Sequence, residues 1–416
     1  MTALDKEPEV PNRPPSVRGE PPLWRSNLHV YYSPIQFENR IGKITKSLVT
    51  QNIVGQVWIV GIWAEGLAVD EPLDDRRTIH RIRLRIPKVA GNGAAQLLRM
   101  AEFSFRTFWF AWRRKVDLVN CRMLFFLPVC VALKYLRRTT LVYDAHEIES
   151  EQEGFQGWRK RLLQFVERRL VKCADLMIIA GRSYADWYER EYGLSNVGVL
   201  NNVPPRGNPE PIVRQRTLRE PFGIGEDELL FIYQGLLVEE RGILLLLRAF
   251  AACPDKSRHI VFMGFGPLQE LVEAHAREHR NIHFHPAVPA AKIKSYTCSA
   301  DVGFSAPLHT SLNNYLCNPN KTYEYLLAGV PMIVSNFPEL TRFVAENQCG
   351  WVVEPEERTI ADLIARISPT EIAVLRRNIA VSRLRHGWEN EEENLVRYYH
   401  DLARRRGLQL PIQSAA

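Results

Sequence analysis

The chain has 416 residues, 46% of them hydrophobic and 24% charged, with a formal net charge of +7. That composition excludes a disordered chain and leaves room for two domains with full cores. Acidic residues are interspersed among the basic ones. This argues against the clustered basic stripe of a nucleic-acid reader and suits anionic substrates or an anionic membrane surface.

Seven scattered cysteines, with no C-x-x-C pair, read as buried thiols of a reducing compartment. The N-terminus has no charged start followed by an apolar run, and the longest apolar stretches fall short of the ~20 residues of a spanning helix. The expectation is a cytoplasmic protein, attached at most peripherally to the inner face of a membrane.

Residues 1–23 carry Pro and mixed charge without period and predict a disordered tail. From Asn27, NLHVYYS predicts a strand, QVWIVGIW a second, and the alternating IHRIRLRIP a half-exposed edge strand. A helix over Ala94–Arg113 leads to the strand VDLVNC, another helix, and TLVYDAHE. This alternation predicts an α/β chain with doubly wound parallel sheets. Asp144, His146 and Glu147 close the last strand, where open parallel sheets bind ligands; Asp144 and Glu147 are read as structural. The following helix carries Arg159, Lys160, Arg161, Arg168, Arg169 and Lys172 beside Trp158, Leu162 and Phe165. That pattern fits a helix lying on an anionic bilayer, and equally a solvated surface helix.

The Pro- and Arg-rich stretch 206–225 predicts a linker between a domain over 24–205 and a second over 226–385. Residues 386–416 form a last helix expected to pack back on the first domain. The second half repeats the alternation through LLFIYQG, HIVFMG, NIHFHPAV, ADVGFSA, MIVSN and GWVVEP. His275, His279, His283 and His285 lack the glutamate of a helical zinc motif, so no metal site is expected.

Four features of this half point to one crevice. Gly235 ends a strand, and Arg241-Gly242 opens a helix, a phosphate-facing arrangement. Gly264 and Gly266 in GFGP let a base or ribose approach the backbone, with Pro267 at the first helical position. The stretch NNYLCNPNKTYEYLLAGVP, Asn313–Pro331, reads as an irregular loop and then a helix opened by Asn318 and Pro319. Asn320, Lys321 and Glu324 then fall in its first two turns, where free N–H groups, the dipole and a lysine favour a diphosphate. Pro338-Glu339 marks a further helix start.

Taken together and in this order, these motifs resemble the family 4 glycosyltransferases of GT-B fold. The resemblance is carried by YDAHE (143–147), NNVP (201–204), YQG…RG (233–242), MGFGP (263–267), NPNKTYEYLLAGVP (318–331) and GWENEEENLVRYY (387–399). It implies two Rossmann-like domains facing across a cleft, with the C-terminal helix crossing back. It also implies a UDP- or GDP-linked sugar under the second domain, a saccharide or lipid-linked saccharide acceptor on the first, and transfer with retention. No cofactor or metal is implied.

Residue by residue, the resemblance puts Glu324 on the ribose hydroxyls, Arg241 on the diphosphate and His146 near the transferred sugar. Lys321 joins Arg241 on the leaving diphosphate, and Asn320, Asn313, Tyr315, Gly235, Gly264 and Gly266 line the donor. The chain departs from the pattern at Leu316, where the family's first glutamate stands, and at Leu236, where a basic residue is common. A third departure is SPIQFENR, which replaces a glycine loop, with Arg40 as the compensating cation. The competing expectation is a silent nucleotide-sugar-binding partner of a biosynthetic complex.

Overall fold

The structure is a computed structural model that describes residues 21–36, 38–87, 93–151, 157–207 and 212–409, apart from the side chain of Arg159. The expected N-terminal tail up to residue 20, part of the expected linker (208–211) and residues 410–416 lie outside the described residues.

In chain order the first elements are β1 (Trp24–Val30), α1 (Asn39–Thr50), β2 (Val54–Ile62), β3 (Asp70–Asp74), β4 (Arg77–Ile82), α2 (Gly93–Arg113), β5 (Leu118–Cys121), α3 (Leu127–Arg137) and β6 (Thr140–Ala145). Then follow α4 (Gly157–Val171), β7 (Leu176–Ile179), α5 (Arg182–Tyr192), β8 (Val197–Val199), α6 (Arg219–Phe222), β9 (Leu229–Leu236), α7 (Ile243–Ala252), β10 (Arg258–Phe265), α8 (Gln269–Glu278), β11 (Ile282–Pro286) and α9 (Ile293–Thr297). The remainder is β12 (Val302–Ser305), α10 (Leu312–Leu316), α11 (Asn320–Leu327), β13 (Met332–Ser335), α12 (Pro338–Asn347), β14 (Gly350–Val353), α13 (Glu357–Arg366), α14 (Pro369–Ser382) and α15 (Trp388–Arg405). Among the described residues no helix is long and apolar enough to cross a membrane.

The chain divides into two compact units. One comprises 1–144, 170–176 and 395–416; the other comprises 145–169 and 177–394. Both carry mostly parallel sheets of the Rossmann kind, as the strand–helix alternation predicts.

Strands of the first unit run in the order β3-β4-β2-β1-β5-β6. IHRIRLRIP is not the edge: β4 pairs with β2 in parallel and with β3 antiparallel. The true edge, DEPLD, reads as a loop in sequence because its proline and three acids suppress the strand signal, and Pro is tolerated only on such an edge. The core of this unit carries a polar seam. Asp144 takes Arg40 at 2.9 Å and Arg122 at 2.8 Å, all three buried. Arg40 is therefore committed to an ion pair with Asp144 instead of standing in for a glycine loop. Asn27 donates to Asn120 at 2.7 Å, and Asn120 donates to Tyr399 Oη of α15 at 2.5 Å.

In the second unit β7 and β8 pair in parallel, and a separate sheet runs β11-β10-β9-β12-β13-β14, all its recorded pairings parallel. β9, β10 and β12 are buried over most of their length on both faces, and their centres are correspondingly apolar. One buried carboxylate ties this sheet to its surroundings. Asp301, at the start of β12, receives Arg219 (itself fully buried), Arg214 at 2.8 Å, Arg376 at 3.1 Å and the Leu230 amide at 2.9 Å. Asp301→Ala takes this carboxylate from the buried Arg219 and from Arg376, while Arg214 keeps Glu226 at 3.3 Å. It is expected to destabilise the unit by about 3–5 kcal/mol, read as a lower midpoint in chemical denaturation.

Candidate active site

The site is built at the carboxyl end of β9. This strand buries Leu230 through Gln234 and then emerges with Gly235 and Leu236 exposed. Gly235 has φ 127°, a conformation side chains resist, and a Cβ there would lie 3.5 Å from Lys321 Nζ. Its register partner on β10 is Gly264, where a Cβ would fall 1.9 Å from the Gly235 carbonyl oxygen. At Gly266, φ 147°, a Cβ would meet the Leu237 carbonyl oxygen at 2.6 Å. Gly264 and Gly266 are thus required by the close approach of the β9 and β10 ends, a different reason from the ligand approach expected of them. Pro267 stands ahead of α8, whose N-cap is Leu268, and is not its first helical residue.

Two local expectations for the Asn313–Pro331 stretch need correction. Its first part is a short helix, α10, capped by Ser311, whose hydroxyl accepts from the Asn314 amide at 3.2 Å. The N-cap of α11 is Pro319; Asn318 instead accepts from Thr322 Oγ1 at 2.6 Å. Asn320 and Lys321 open α11 as expected, with Asn320 exposed.

Lys321 lays its Nζ 3.7 Å from the centre of the Tyr233 ring. By surface area the residue is half-buried, but protein packs densely enough around the ammonium for burial to dominate. That burial, with the Arg241 guanidinium adding repulsion, holds the lysine down to about 7, while Glu324 and Cys317 pull the other way. Burial raises the pKa of the neighbouring Cys317 thiol, and the Arg241 guanidinium acts against that rise. Two cations thus converge beside an exposed glycine, an arrangement that an incoming anion relieves.

Glu324, one turn further along α11, accepts from Gln234 Nε2, and Thr297 Oγ1 donates to Gln234 Oε1 at 2.8 Å. Thr297 and Gln234 are buried, so the chain Thr297–Gln234–Glu324 fixes the carboxylate. Gln234 and Thr297 escape a reading of sequence alone. The one available signal is a glutamine directly after the apolar run LLFIY.

The structure does not gather every expected residue here. Asn313 is buried, donates to the Ile148 carbonyl at 3.0 Å and accepts from the Ile148 amide at 2.9 Å. Its own carbonyl accepts from Tyr184 Oη at 2.8 Å. Its side chain is thus a clamp on the segment after β6, instead of the sugar contact expected. His146 is half-buried at the bend that follows β6, two residues from that clamp. Tyr315 stacks on His309 with centroids 4.5 Å apart and meets Phe337 at 5.1 Å. Leu316, where a second carboxylate is common, is buried. Pro338 starts α12 as expected, and the buried Glu339 accepts from the Ser183 amide at 2.7 Å, capping α5.

Gln234→Leu removes a hydrogen bond that anchors Glu324. It is expected to weaken a ligand held by that carboxylate by about 1–2 kcal/mol, measured by calorimetry. The lysine sets a pH dependence. Below about 7 Lys321 is charged in the empty protein. Above that value a bound anion must recruit the proton, so affinity falls by up to tenfold per pH unit until the pKa of the complex is reached. A diphosphate titrated from pH 6 to 9 should show that excess slope in the native protein and lose it in Lys321→Met.

Two family models match the chain: "Glycosyl transferase 4-like domain" over residues 53–202 and "Glycosyl transferases group 1" over residues 228–368. No curated protein matches it by sequence at a significant level. Solved structures share the fold. Sucrose-phosphate synthase from Thermosynechococcus elongatus superposes with a TM-score of 0.74 at 15% identity, covering 91% of this chain and 99% of that one. HepE of Anabaena, in complex with UDP-glucose, gives 0.62 at 16% identity over 92% and 99%. WaaG, a glycosyltransferase involved in lipopolysaccharide biosynthesis, gives 0.61 at 16% identity over 91% and 98%. With a 4-like domain followed by a group 1 domain, and with this architecture, the chain belongs to the family 4 glycosyltransferases of GT-B fold.

Proposed function

We propose that this glycosyltransferase is retaining and metal-independent, and that it moves a hexose from a UDP- or GDP-linked donor to a saccharide or lipid-linked saccharide acceptor. The product belongs to a cell-surface polysaccharide. The observation that carries the reading is the convergence of Lys321 and Arg241 at the exposed turn of Gly235, with Glu324 held by Gln234 one helical turn away.

As the bond from the anomeric carbon to the diphosphate oxygen breaks, its electron pair moves to that oxygen. Arg241, Lys321 and the first amides of α11 meet the growing charge. The acceptor hydroxyl adds to the anomeric carbon on the face the diphosphate leaves, and its proton passes to the departing phosphate. Glu324 takes the ribose hydroxyls. Leu236 and Phe265, neighbours in register and both exposed, offer an apolar lip for the base.

HepE in its complex with UDP-glucose supports the donor class, and WaaG's part in lipopolysaccharide biosynthesis supports the acceptor class. A peripheral position on the cytoplasmic face of a membrane is supported by α4, where Trp158, Leu162 and Phe165 are exposed and Arg169 lies 5.0 Å from the centre of the Phe165 ring. The rival reading, a binder without transfer, draws on the buried Leu316 in place of a glutamate.

A thermal-shift series with UDP-, GDP- and ADP-sugars should single out one nucleotide. The preferred donor should also be hydrolysed slowly without acceptor. Glu324→Ala is expected to weaken donor binding roughly tenfold. Lys321→Ala should lower kcat by about 10²-fold with a smaller change in affinity. Tight binding with no turnover of any donor would establish the silent partner instead.

A further inference from the structure

The outward face of α2 has an inverted pattern for a surface helix. Phe103, Thr107 and Ala111 are buried, while Leu97, Leu98, Ala101, Phe105 and Trp109 face solvent at near four-residue spacing. Phe105 is 70% exposed, Leu97 57% and Trp109 45%. Single exposed apolar residues are ordinary, but a ridge of two leucines and two aromatics over three turns is an interaction surface.

Charge lies beside the ridge. A groove of about 600 Å³ between α2 and β4 is lined in part by Arg83, Arg106, Arg113 and Arg114. Arg83 lies 4.5 Å from the centre of the Trp63 ring, Arg113 5.2 Å from Trp109 and Arg114 4.5 Å from Phe110. Stacking orients these guanidiniums without neutralising them. Ion pairs beside the groove use Arg106 with Glu102, Arg81 with Glu71 and His80 with Asp70; Arg83, Arg113 and Arg114 form none among the described residues.

We infer that α2 and this groove form a docking surface for an anionic phospholipid bilayer. Leu97, Leu98, Phe105 and Trp109 enter the boundary between headgroups and acyl chains, and the arginines take lipid phosphates through paired N–H donors. A second copy of the chain fits less well. A two-fold contact through the ridge would gather the flanking arginines of both copies at one seam, where Asp70, Glu71 and Glu102 are already paired with His80, Arg81 and Arg106. The surface is separate in sequence from α4, and the inference stands whether or not the donor chemistry proposed above is right.

The test is flotation of the full chain with phosphatidylcholine vesicles, with and without phosphatidylglycerol. Native protein should float with the anionic vesicles, float poorly with neutral ones and be released by added salt. Phe105→Ser with Trp109→Ser should lower partitioning roughly tenfold with an unchanged far-UV circular dichroism spectrum. The single change Phe105→Ser, at the most exposed position of the ridge, should act in the same direction. Replacing Arg83, Arg113 and Arg114 by Gln should remove the preference for anionic vesicles, while Trp158→Ser with Phe165→Ser on α4 should leave most binding in place. The inference fails if native protein ignores anionic vesicles, if the ridge or arginine variants bind like native protein, or if only the α4 variant loses binding. It fails equally if light scattering shows a dimer that Phe105→Ser dissolves while vesicles are ignored.

Discussion

The second unit is arranged around a lysine whose ammonium is packed against the face of Tyr233 beside an arginine. Burying that ammonium away from water is unfavourable, and a second cation nearby makes it worse, which is why Lys321 is held down to about 7. The neighbouring structure accommodates this. Tyr233 supplies its ring face, and Glu324 supplies negative potential while its carboxylate is steadied by Gln234. The strain is electrostatic and is released by an anion, so the stability of the empty site and the affinity for a diphosphate are opposite sides of one interaction. Charge stabilisation built in before the ligand arrives is the form of catalysis that needs least reorganisation at the moment of bond breaking.

Both units solve the burial of charge in the same way, by setting one carboxylate against several guanidiniums. Asp144 does so in the first unit with Arg40 and Arg122, and Asp301 in the second with Arg214, Arg219 and Arg376. Asp144 lies near the carboxyl end of β6 and Asp301 immediately before β12, where each sheet meets the loops around it. Such pairs add little net stability over an apolar core, but losing one member is costly, so they hold the strand ends in a single arrangement.

Much of the site is legible from residue order. A proline–asparagine–lysine start, a carboxylate one turn on and a glycine before Val-Pro specify a short helix with a cationic entrance, and α11 is that helix. Less legible are the groups that act through others. Gln234 reads as an interruption in an apolar strand, and only packing across to Thr297 and Glu324 gives it a role. Asn313 reads as a ligand contact, and only the fold brings Ile148, 165 residues earlier in the chain, to both ends of its amide. The exposed ridge on α2 is hidden for the same reason. An apolar stripe marks a buried face in sequence, and which stripe is buried is decided by the partners of the helix.

Sequence by itself determined the alternation of strands and helices, the order of the motifs and the identity of the cations, because these depend on local propensity, on periodicity and on spacing along one helix. The tertiary structure decided the reasons. Gly264 is a glycine because the Gly235 carbonyl crosses over it, a contact between two strands that no local pattern encodes. Arg40 serves Asp144 and not a phosphate because β6 ends beside α1. Lys321 gains its low pKa from burial and from Arg241, a residue eighty positions away, since desolvation and repulsion depend on distance in space and not along the chain.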